Sequence, residues 1–161
     1  IDFLLEFFKK AKAKGVHVTL DTSGNPFTRE EPFFSKFNEL MKVTDLVILD
    51  IKEMDDNKHK ILTGWSNSNI LDMARYLSEI NKPVWIRHVL VPGGSDNDEQ
   101  LKKLNDFIKT LNKNYMKILF HLIDIFGLIQ VHSYLNQFHF AYNQLLNKLH
   151  LLHLIQSYDL Q

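Results

Sequence analysis

The sequence predicts an α/β fold built around a parallel sheet, and three observations support this prediction. Three apolar runs of strand type, at residues 16–20, 46–51 and 83–91, each end in a polar cluster. The stretches between them carry apolar residues at helical spacing. At 161 residues and 45% hydrophobic, the chain is long enough to bury one core. Alternating helices and strands predict right-handed crossovers, in either a barrel or an open doubly wound sheet.

The chain begins with an amphipathic helix followed by a short strand. Residues 2–14 place apolar side chains at helical spacing with lysines on the opposite face. Gly15 follows them, and glycine readily adopts the left-handed conformation that ends many helices. Residues 16–20 are a short β-branched run typical of a strand. Residues 25–26, an Asn-Pro pair, mark a loop, and Thr28 is the predicted cap of a second helix. The apolar face of that helix comprises Phe33, Phe34, Phe37, Leu40 and Met41.

The second strand and the helices after it repeat this alternation. Residues 46–51 are nearly all aliphatic, as in a strand that is covered on both faces of a parallel sheet. A short helical turn at residues 58–62 ends at Gly64, and Ser66 or Ser68 then caps a longer helix. The apolar face of this longer helix comprises Ile70, Met73, Ala74, Leu77 and Ile80.

A third strand and a fourth long helix complete the regular pattern. Residues 83–91 form the predicted strand, and Ser95 begins the helix with acidic residues in its first turn. The inward side chains of this helix are Leu101, Leu104, Phe107, Ile108 and Leu111. We therefore expect residues 1–117 to form one domain.

The composition changes from about Ile118. Acidic and basic residues nearly vanish, and histidines occur among leucines, phenylalanines and glutamines: His121, His132, His139, His150 and His153. His150 and His153 have a spacing usable for a metal, but carboxylate or cysteine companions are lacking, which favours chance spacing. We expect residues 118–161 to form a divergent, irregular or helical tail, and a frameshift near Lys117 would account for the loss of charge. Resequencing of the locus tests that hypothesis.

Charge and composition exclude several classes of partner and site. The 19 basic and 19 acidic residues balance, so no global basic field holds nucleic acid or an anionic membrane. No signal peptide or apolar stretch of spanning length occurs, and we expect a cytoplasmic protein. The chain has no cysteine, which excludes disulfides, thiolate zinc sites and cysteine-ligated iron–sulfur clusters within these residues.

The polar clusters at the strand ends are the candidate site, because ligands of such sheets bind beyond the carboxyl ends of the strands. Strand alternation places Asp50 and Lys52 on one face with Ile48. A carboxylate and an ammonium two residues apart suit a zwitterionic ligand, or a cation beside a ligand carboxylate. A plain ion pair is the alternative interpretation.

The neighbouring strand ends add oxygen ligands and an arginine. Asp21 and Thr22 should approach Asp50, which predicts a hard, oxygen-only cation site; alternatively, they organise the turn at residues 23–26. Arg87 lies inside an otherwise apolar strand, so it needs a carboxylate, a ligand or a backbone carbonyl as a partner. His88, on the opposite face of this strand, is expected to be a structural residue that faces a helix.

Four segments together resemble a known family. They are residues 20–24 (LDTSG), 44–52 (TDLVILDIK), 64–67 (GWSN) and 84–93 (VWIRHVLVPG). In this order and spacing they resemble the glycyl radical activating enzymes of the radical S-adenosylmethionine (SAM) superfamily, over residues 3–117. The resemblance implies a partial (β/α)₆ barrel with SAM and a [4Fe–4S] cluster as cofactors.

The resemblance also implies an activity and partners. In the family the cluster reductively cleaves SAM, and the resulting radical abstracts hydrogen from a backbone glycine of pyruvate formate-lyase or a related glycyl radical enzyme. A flavodoxin or ferredoxin-type protein donates the electron. In this chain Asp50, Ile51 and Lys52 would contact SAM, and Arg87 would help to position the partner's glycine loop. The implied monovalent-cation ligands are Asp21, Thr22, Asp50 and the backbone of Ile48.

The chain departs from the family in two places. The family's Cys-x₃-Cys-x₂-Cys motif and the Gly-Gly-Glu strand end after it are absent, so Ile1 is expected to be an internal residue of a truncated frame. The family continues after Lys117 with a strand ending Leu-Pro-Tyr-His, whereas residues 118–122 read ILFHL, and no role is carried over to His121. No residue is assigned a catalytic role, and we expect the chain as written to be inactive.

Two other functions remain open. The first is a cysteine-free binding or regulatory derivative that docks to the glycyl radical protein without activating it. The second is an unrelated barrel lyase that uses Lys52 as a Schiff-base amine.

Overall fold

The computed structural model describes residues 1–90, 95, 97–112, 114–124 and 127–133, with side chains up to residue 118. In chain order the elements are α1 (Asp2–Ala13), β1 (Thr19–Thr22), α2 (Phe33–Lys42), β2 (Leu46–Asp50), α3 (Asp56–Thr63), α4 (Ser68–Glu79), β3 (Val84–Leu90), α5 (Asp98–Lys109), β4 (Met116–Asp124) and β5 (Gly127–Ser133). This alternation confirms the predicted α/β class.

The five strands form one sheet in the order β1-β2-β3-β4-β5. The three predicted strands, β1, β2 and β3, are parallel, as expected. A fourth strand that was not predicted, β4, pairs parallel with β3, and β5 pairs antiparallel with β4. The register sets Asp21 of β1 opposite Ile48 of β2, and Asp50 of β2 opposite Arg87 of β3. Because neighbouring parallel strands point the same way, their carboxyl ends lie side by side at one edge of the sheet.

The two faces of the sheet have different environments. Val47, Leu49 and Ile51 point to one face and are buried, and α4 contacts β2. Ile48 and Trp85 point to the other face and are only half-buried. Strand alternation therefore separates an apolar, helix-covered face from a more open face that carries the polar residues.

Helices α2, α4 and α5 bury most of the apolar faces that their sequences predicted, whereas Phe3 and Phe7 on the apolar face of α1 are exposed. In α4 the buried side chains include Ile70, Met73, Ala74 and Leu77, although Ile80 lies at the helix end and is partly exposed. Ring contacts among Phe27, Phe33, Phe37 and Tyr76 pack α2 and α4 together. The predicted helical turn that ends at Gly64 is confirmed, since this glycine adopts φ 80° at the C-cap of α3.

The predicted N-terminal caps of α2, α4 and α5 were wrong, and of these three helices only α5 has a side-chain cap. Pro32, not Thr28, precedes α2, and the Thr28 hydroxyl accepts from Glu30 N at 3.2 Å. Asn97, not Ser95, caps α5. In α4 the N-cap residue is Asn67, and no side chain bonds the cap; its amide instead donates to Glu53 and Met54 carbonyls.

The first strand begins later than its β-branched run suggests. Val18 N donates to the Asp45 carboxylate at 2.8 Å, and parallel pairing starts only at Thr19 opposite Leu46. Lys12 donates to the same carboxylate and, together with Val18 N, lowers the pKa of Asp45. Because β1 covers Thr19–Thr22, both Asp21 and Thr22 lie within the strand and not in the loop after it.

The chain beyond Lys117 differs from the expected irregular or helical tail over residues 118–124 and 127–133, which are strands. One edge of β3 pairs with β2. Residues 116–122 hydrogen-bond along the other edge in parallel register, which satisfies its backbone groups. The side chains of His121 and His132, and all of residues 134–161 with His139, His150 and His153, lie outside what the structure describes. None of the helices described is long and apolar enough to span a bilayer.

Gly24 gives a test of how tightly the end of β1 packs. Its φ is +76°, and an added Cβ would lie 2.8 Å from Leu49 Cδ1 and 3.3 Å from the Ile70 Cα. Gly15 has a similar φ of +74° but nothing within 4 Å of an added Cβ. We expect Gly24→Ala to lower the free energy of unfolding by about 2–4 kcal/mol, and Gly15→Ala by about 1–2 kcal/mol. Urea denaturation measures both, and equal losses would contradict the packing.

Candidate functional site

The candidate site lies on the open face of the sheet, where β1, β2 and β3 end. Asp21 and Arg87 come from β1 and β3, Asp50 is the last residue of β2, and Lys52 follows two residues later. Asp21 and Asp50 lie at or next to the last residues of their strands, and Arg87 lies in the middle of β3, opposite Asp50 in the register. The structure therefore brings together the four charged residues that the sequence singled out.

Arg87 connects the three strand ends. Its Nη1 and Nη2 atoms each donate to one oxygen of Asp21 at 2.9 Å, and its Nε donates to Asp50. The pKa of Arg87 is raised above its usual value, most by the hydrogen bond to Asp50 and then by that to Asp21, against the opposing effect of burial. The sequence required a partner for this arginine, and the structure supplies two carboxylates.

The three side chains differ in exposure. The Asp50 side chain is 12% exposed and that of Arg87 is 22% exposed, whereas that of Asp21 is 54% exposed. Solvent screens the pair with Asp21 more strongly than the pair with Asp50. The Arg87–Asp50 contact is therefore the energetically dominant half of the cluster.

Lys52 adds a second positive group that is less tightly held. Its Nζ lies 3.8 Å from Asp50 Oδ2, and its side chain is 44% exposed. The exposed ammonium can therefore approach a ligand carboxylate, whereas the Asp50 carboxylate is largely shielded from solvent and accepts from Arg87. Two carboxylates, one guanidinium and one ammonium balance in charge, which suits a zwitterionic ligand better than a simple anion.

Ile51 and Ile48 offer backbone groups to the site. The Ile51 side chain is buried on the helix face, and its N–H donates to the Arg87 carbonyl at 3.0 Å. Ile48 pairs with Asp21 and Trp85 across the sheet, which places its side chain on the open face. The Ile51 side chain therefore lies away from the open face, and any contact of this residue with a ligand there would be through its main chain.

Thr22 lies on the other face of the sheet from Asp21. It is opposite Leu49 in the register, and its Oγ1 accepts a hydrogen bond from Gly24 N at 3.0 Å. The hydroxyl therefore organises the turn after β1, which is the alternative that the sequence left open for this residue. The side chains that converge on a positive charge are those of Asp21 and Asp50.

The side chains of the site can be compared with those that hold metal ions and iron–sulfur clusters in proteins. Among the described residues no group of three or more His, Cys, Asp and Glu side chains is placed to hold a metal ion. The chain has no cysteine, so it supplies no thiolate for an iron–sulfur cluster. Asp21 and Asp50 do converge on one guanidinium, and a pair of carboxylates is a donor set that suits a hard cation.

Two residues near the site were not predicted as part of it. Asn67 is buried, and its amide donates to the carbonyls of Glu53 and Met54 at 3.0 and 2.9 Å, which fixes the segment after Lys52. His88 contacts the carbonyl of Ile51. Neither contact has a local sequence signal, since the partners are separated by 13 or more positions.

The unequal exposure of the two carboxylates can be tested by double-mutant cycles. We expect a coupling energy of about 1–3 kcal/mol for Arg87→Gln with Asp50→Asn, and below about 1 kcal/mol for Arg87→Gln with Asp21→Asn. The physical reason is the stronger shielding of Asp50 from water. Urea denaturation of the single and double variants measures both values. A larger coupling for Asp21 would contradict this ranking.

Comparison with known proteins identifies the family. The model of the Radical SAM superfamily matches residues 1–107. The chain is 57% identical over 111 residues to the pyruvate formate-lyase-activating enzyme of Streptococcus mutans, covering 69% of this chain and 42% of that protein. It is 51% identical over 111 residues to the enzyme of the same name from Listeria monocytogenes, covering 69% of this chain and 45% of that protein. The chain thus spans less than half the length of these relatives.

Solved structures agree with this assignment. A domain of pyruvate-formate lyase-activating enzyme from Bacteroides vulgatus superposes with a TM-score of 0.61 at 25% identity, covering 68% of this chain and 65% of that one. Streptococcus suis SuiB, at 14% identity and a TM-score of 0.56, covers 86% of this chain and 32% of its own, and shares the fold. By its sequence and its partial-barrel sheet, the chain belongs to the radical SAM superfamily.

Proposed function

We propose that this chain forms the SAM-binding and partner-binding part of a glycyl radical activating enzyme that acts on pyruvate formate-lyase. The observation that carries this proposal is the convergence of Asp21, Asp50, Lys52 and Arg87 at three adjacent parallel strand ends. The curated relatives named above support the choice of substrate, because pyruvate formate-lyase-activating enzyme is the name they carry.

Binding of SAM would use the segment after β2. The exposed Lys52 ammonium would bind the carboxylate of the ligand's amino-acid portion, and Asp50 would accept from the ligand's ammonium through Oδ2, because Oδ1 accepts from Arg87. The main chain at Ile51 would contact the ligand between them. These are charge-assisted contacts, which are stronger than neutral hydrogen bonds and orient a zwitterion in one direction.

A monovalent cation would sit beside the ligand carboxylate. We propose Asp21, Thr22, Asp50 and the backbone of Ile48 as its ligands. Support comes from the two carboxylates, which already meet at one positive charge on Arg87. Because the Thr22 hydroxyl serves the turn, its main-chain oxygen is the more suitable donor of that residue.

Arg87 would contact the partner's glycine loop. A guanidinium has five N–H groups, and three of them donate to Asp50 and Asp21. Two remain for backbone carbonyls of a partner while the carboxylates hold the side chain in place. This arrangement lets one residue both organise the strand ends and orient an incoming peptide.

The residues of this chain do not fit the [4Fe–4S] cluster that complete members of the family use with SAM. Without cysteine thiolates they hold no cluster, so no electron transfer, SAM cleavage or hydrogen abstraction is derived from them. The cluster, and the flavodoxin or ferredoxin-type donor that reduces it, would belong to a part of the enzyme outside these residues. The cytoplasm, which supplies SAM and such donors, is the proposed location.

The absence of cysteine favours one other function. A non-catalytic derivative would dock to the glycyl radical enzyme through Arg87 and leave it unactivated. The nucleotide sequence upstream of the Ile1 codon separates the two functions. An in-frame Cys-x₃-Cys-x₂-Cys supports the activating enzyme, whereas an in-frame stop followed by a separate start codon supports the derivative.

SAM binding tests the ligand part of the proposal. We expect Lys52→Ala to raise the dissociation constant for SAM about tenfold, because a charge-assisted contact is lost. Equilibrium dialysis with labelled SAM measures the constant. Lys60→Ala is the matched control, since Lys60 pairs with Asp56 at 2.6 Å in α3 and lies outside the site. The proposal fails if the two variants bind SAM equally well.

Docking tests the partner part of the proposal. We expect Arg87→Ala to weaken binding to purified Streptococcus mutans pyruvate formate-lyase about tenfold or more, as measured by surface plasmon resonance. Arg29→Ala is the control, because Arg29 also bonds two carboxylates, Asp72 and Glu79, but on α4. If the two variants bind pyruvate formate-lyase equally well, Arg87 is not part of the interface.

A further inference from the structure

His88 lies on the opposite side of β3 from Arg87. Successive residues of a strand alternate between faces, so Arg87 points to the open face and His88 to the helix-covered face. His88 is 1% exposed. A buried imidazole needs hydrogen-bond partners, and the positions of those partners show what this side chain holds in place.

Both ring nitrogens of His88 face carbonyl oxygens. Nδ1 lies 2.6 Å from the carbonyl oxygen of Ile51, and Nε2 lies 3.3 Å from that of Ser95. A carbonyl oxygen only accepts, and a neutral imidazole donates from one nitrogen. We assign that hydrogen to Nδ1 because the contact with Ile51 is the shorter of the two.

Both main-chain groups of Ile51 are consequently bonded by consecutive residues of β3. Ile51 N–H donates to the Arg87 carbonyl at 3.0 Å, and the Ile51 carbonyl accepts from His88. Two residues further on, the Glu53 carbonyl accepts from the Asn67 amide at 3.0 Å. Lys52 therefore lies between two fixed carbonyls, although its own side chain is 44% exposed.

We propose that His88 is a positioning residue for the ligand-binding segment. Its Nδ1–H bond to Ile51 fixes the plane of the peptide between Ile51 and Lys52, and with it the direction in which Asp50 and Lys52 meet a ligand. The identity of the ligand as SAM rests on the function proposed above. The hold on the peptide rests only on the contacts of His88.

Three substitutions of His88 separate its two contacts. The amide nitrogen of asparagine occupies the place of Nδ1, whereas that of glutamine reaches the place of Nε2. His88→Asn thus keeps the bond to Ile51, His88→Gln keeps only the contact with Ser95, and His88→Leu keeps neither. A merely structural histidine would rank these variants by stability alone.

Two measurements read the effect in the purified full chain. The ¹³C shift of the Ile51 carbonyl reports its hydrogen bond by NMR, and equilibrium dialysis reports the dissociation constant for SAM. We expect His88→Leu and His88→Gln to change the carbonyl shift and to raise the dissociation constant about tenfold. We expect His88→Asn to retain the shift and to bind within about threefold of the unaltered chain.

His59 is the matched control. It is also a buried histidine, and its Nδ1 lies 2.7 Å from a backbone carbonyl, that of Trp65, in the turn that follows α3. We expect His59→Leu to lower the urea midpoint as His88→Leu does, but to leave both the Ile51 shift and SAM binding unchanged. This comparison separates loss of stability from loss of orientation.

Each remaining outcome decides between the positioning role and the proposed function. Restoration by His88→Gln as complete as by His88→Asn, or an Ile51 carbonyl shift unchanged in His88→Leu, would overturn the positioning role. If the unaltered chain does not bind SAM while the carbonyl shift follows the expected pattern, the proposed function fails and the role of His88 at Ile51 stands.

Discussion

The rest of the site depends on the charge balance at Arg87, where one guanidinium serves carboxylates from two other strands. The parallel register makes this possible, since it sets Asp50 opposite Arg87 and brings the end of β1 alongside. Asp50 is largely shielded from water, and without its partner it would be an uncompensated charge at the edge of an apolar sheet. The same contact keeps the strand ends together at the point where ladder hydrogen bonds stop.

Neighbouring residues of β3 make contacts on opposite faces of the sheet. Arg87 organises charge on the open face, and His88 holds the Ile51 main chain from the helix face. The segment that follows β2 is therefore fixed by residues on both sides of the sheet, and by Asn67 further along. Lys52 follows β2 in a segment without regular secondary structure, yet these contacts hold that segment in a defined direction. The zwitterion-binding site proposed above requires such fixed positions.

The chain belongs to the radical SAM superfamily, yet it contains no cysteine. The described residues carry charges suited to the amino-acid end of a ligand and to a peptide partner, whereas no thiolate for a cluster is present. The chain matches its curated relatives over less than half of their length. In the function proposed above, these residues bind and orient the ligand and the partner, and radical formation takes place outside them.

Apolar periodicity determined the α/β class and the parallel sheet, because burial of an apolar face is a local property of a segment. The four charged candidates came from polar residues in or directly after the apolar strands. The start of β1, the position of Asn67 before α4 and the strands beyond Ile118 were decided by tertiary structure, since each depends on hydrogen bonds to a distant segment. The same reason explains the site. Asp50, Lys52 and Arg87 were identified from their positions in the sequence, but the pairing of Arg87 with Asp21, 66 positions away, and the hold of His88 on Ile51, 37 positions away, exist only once the strands are side by side.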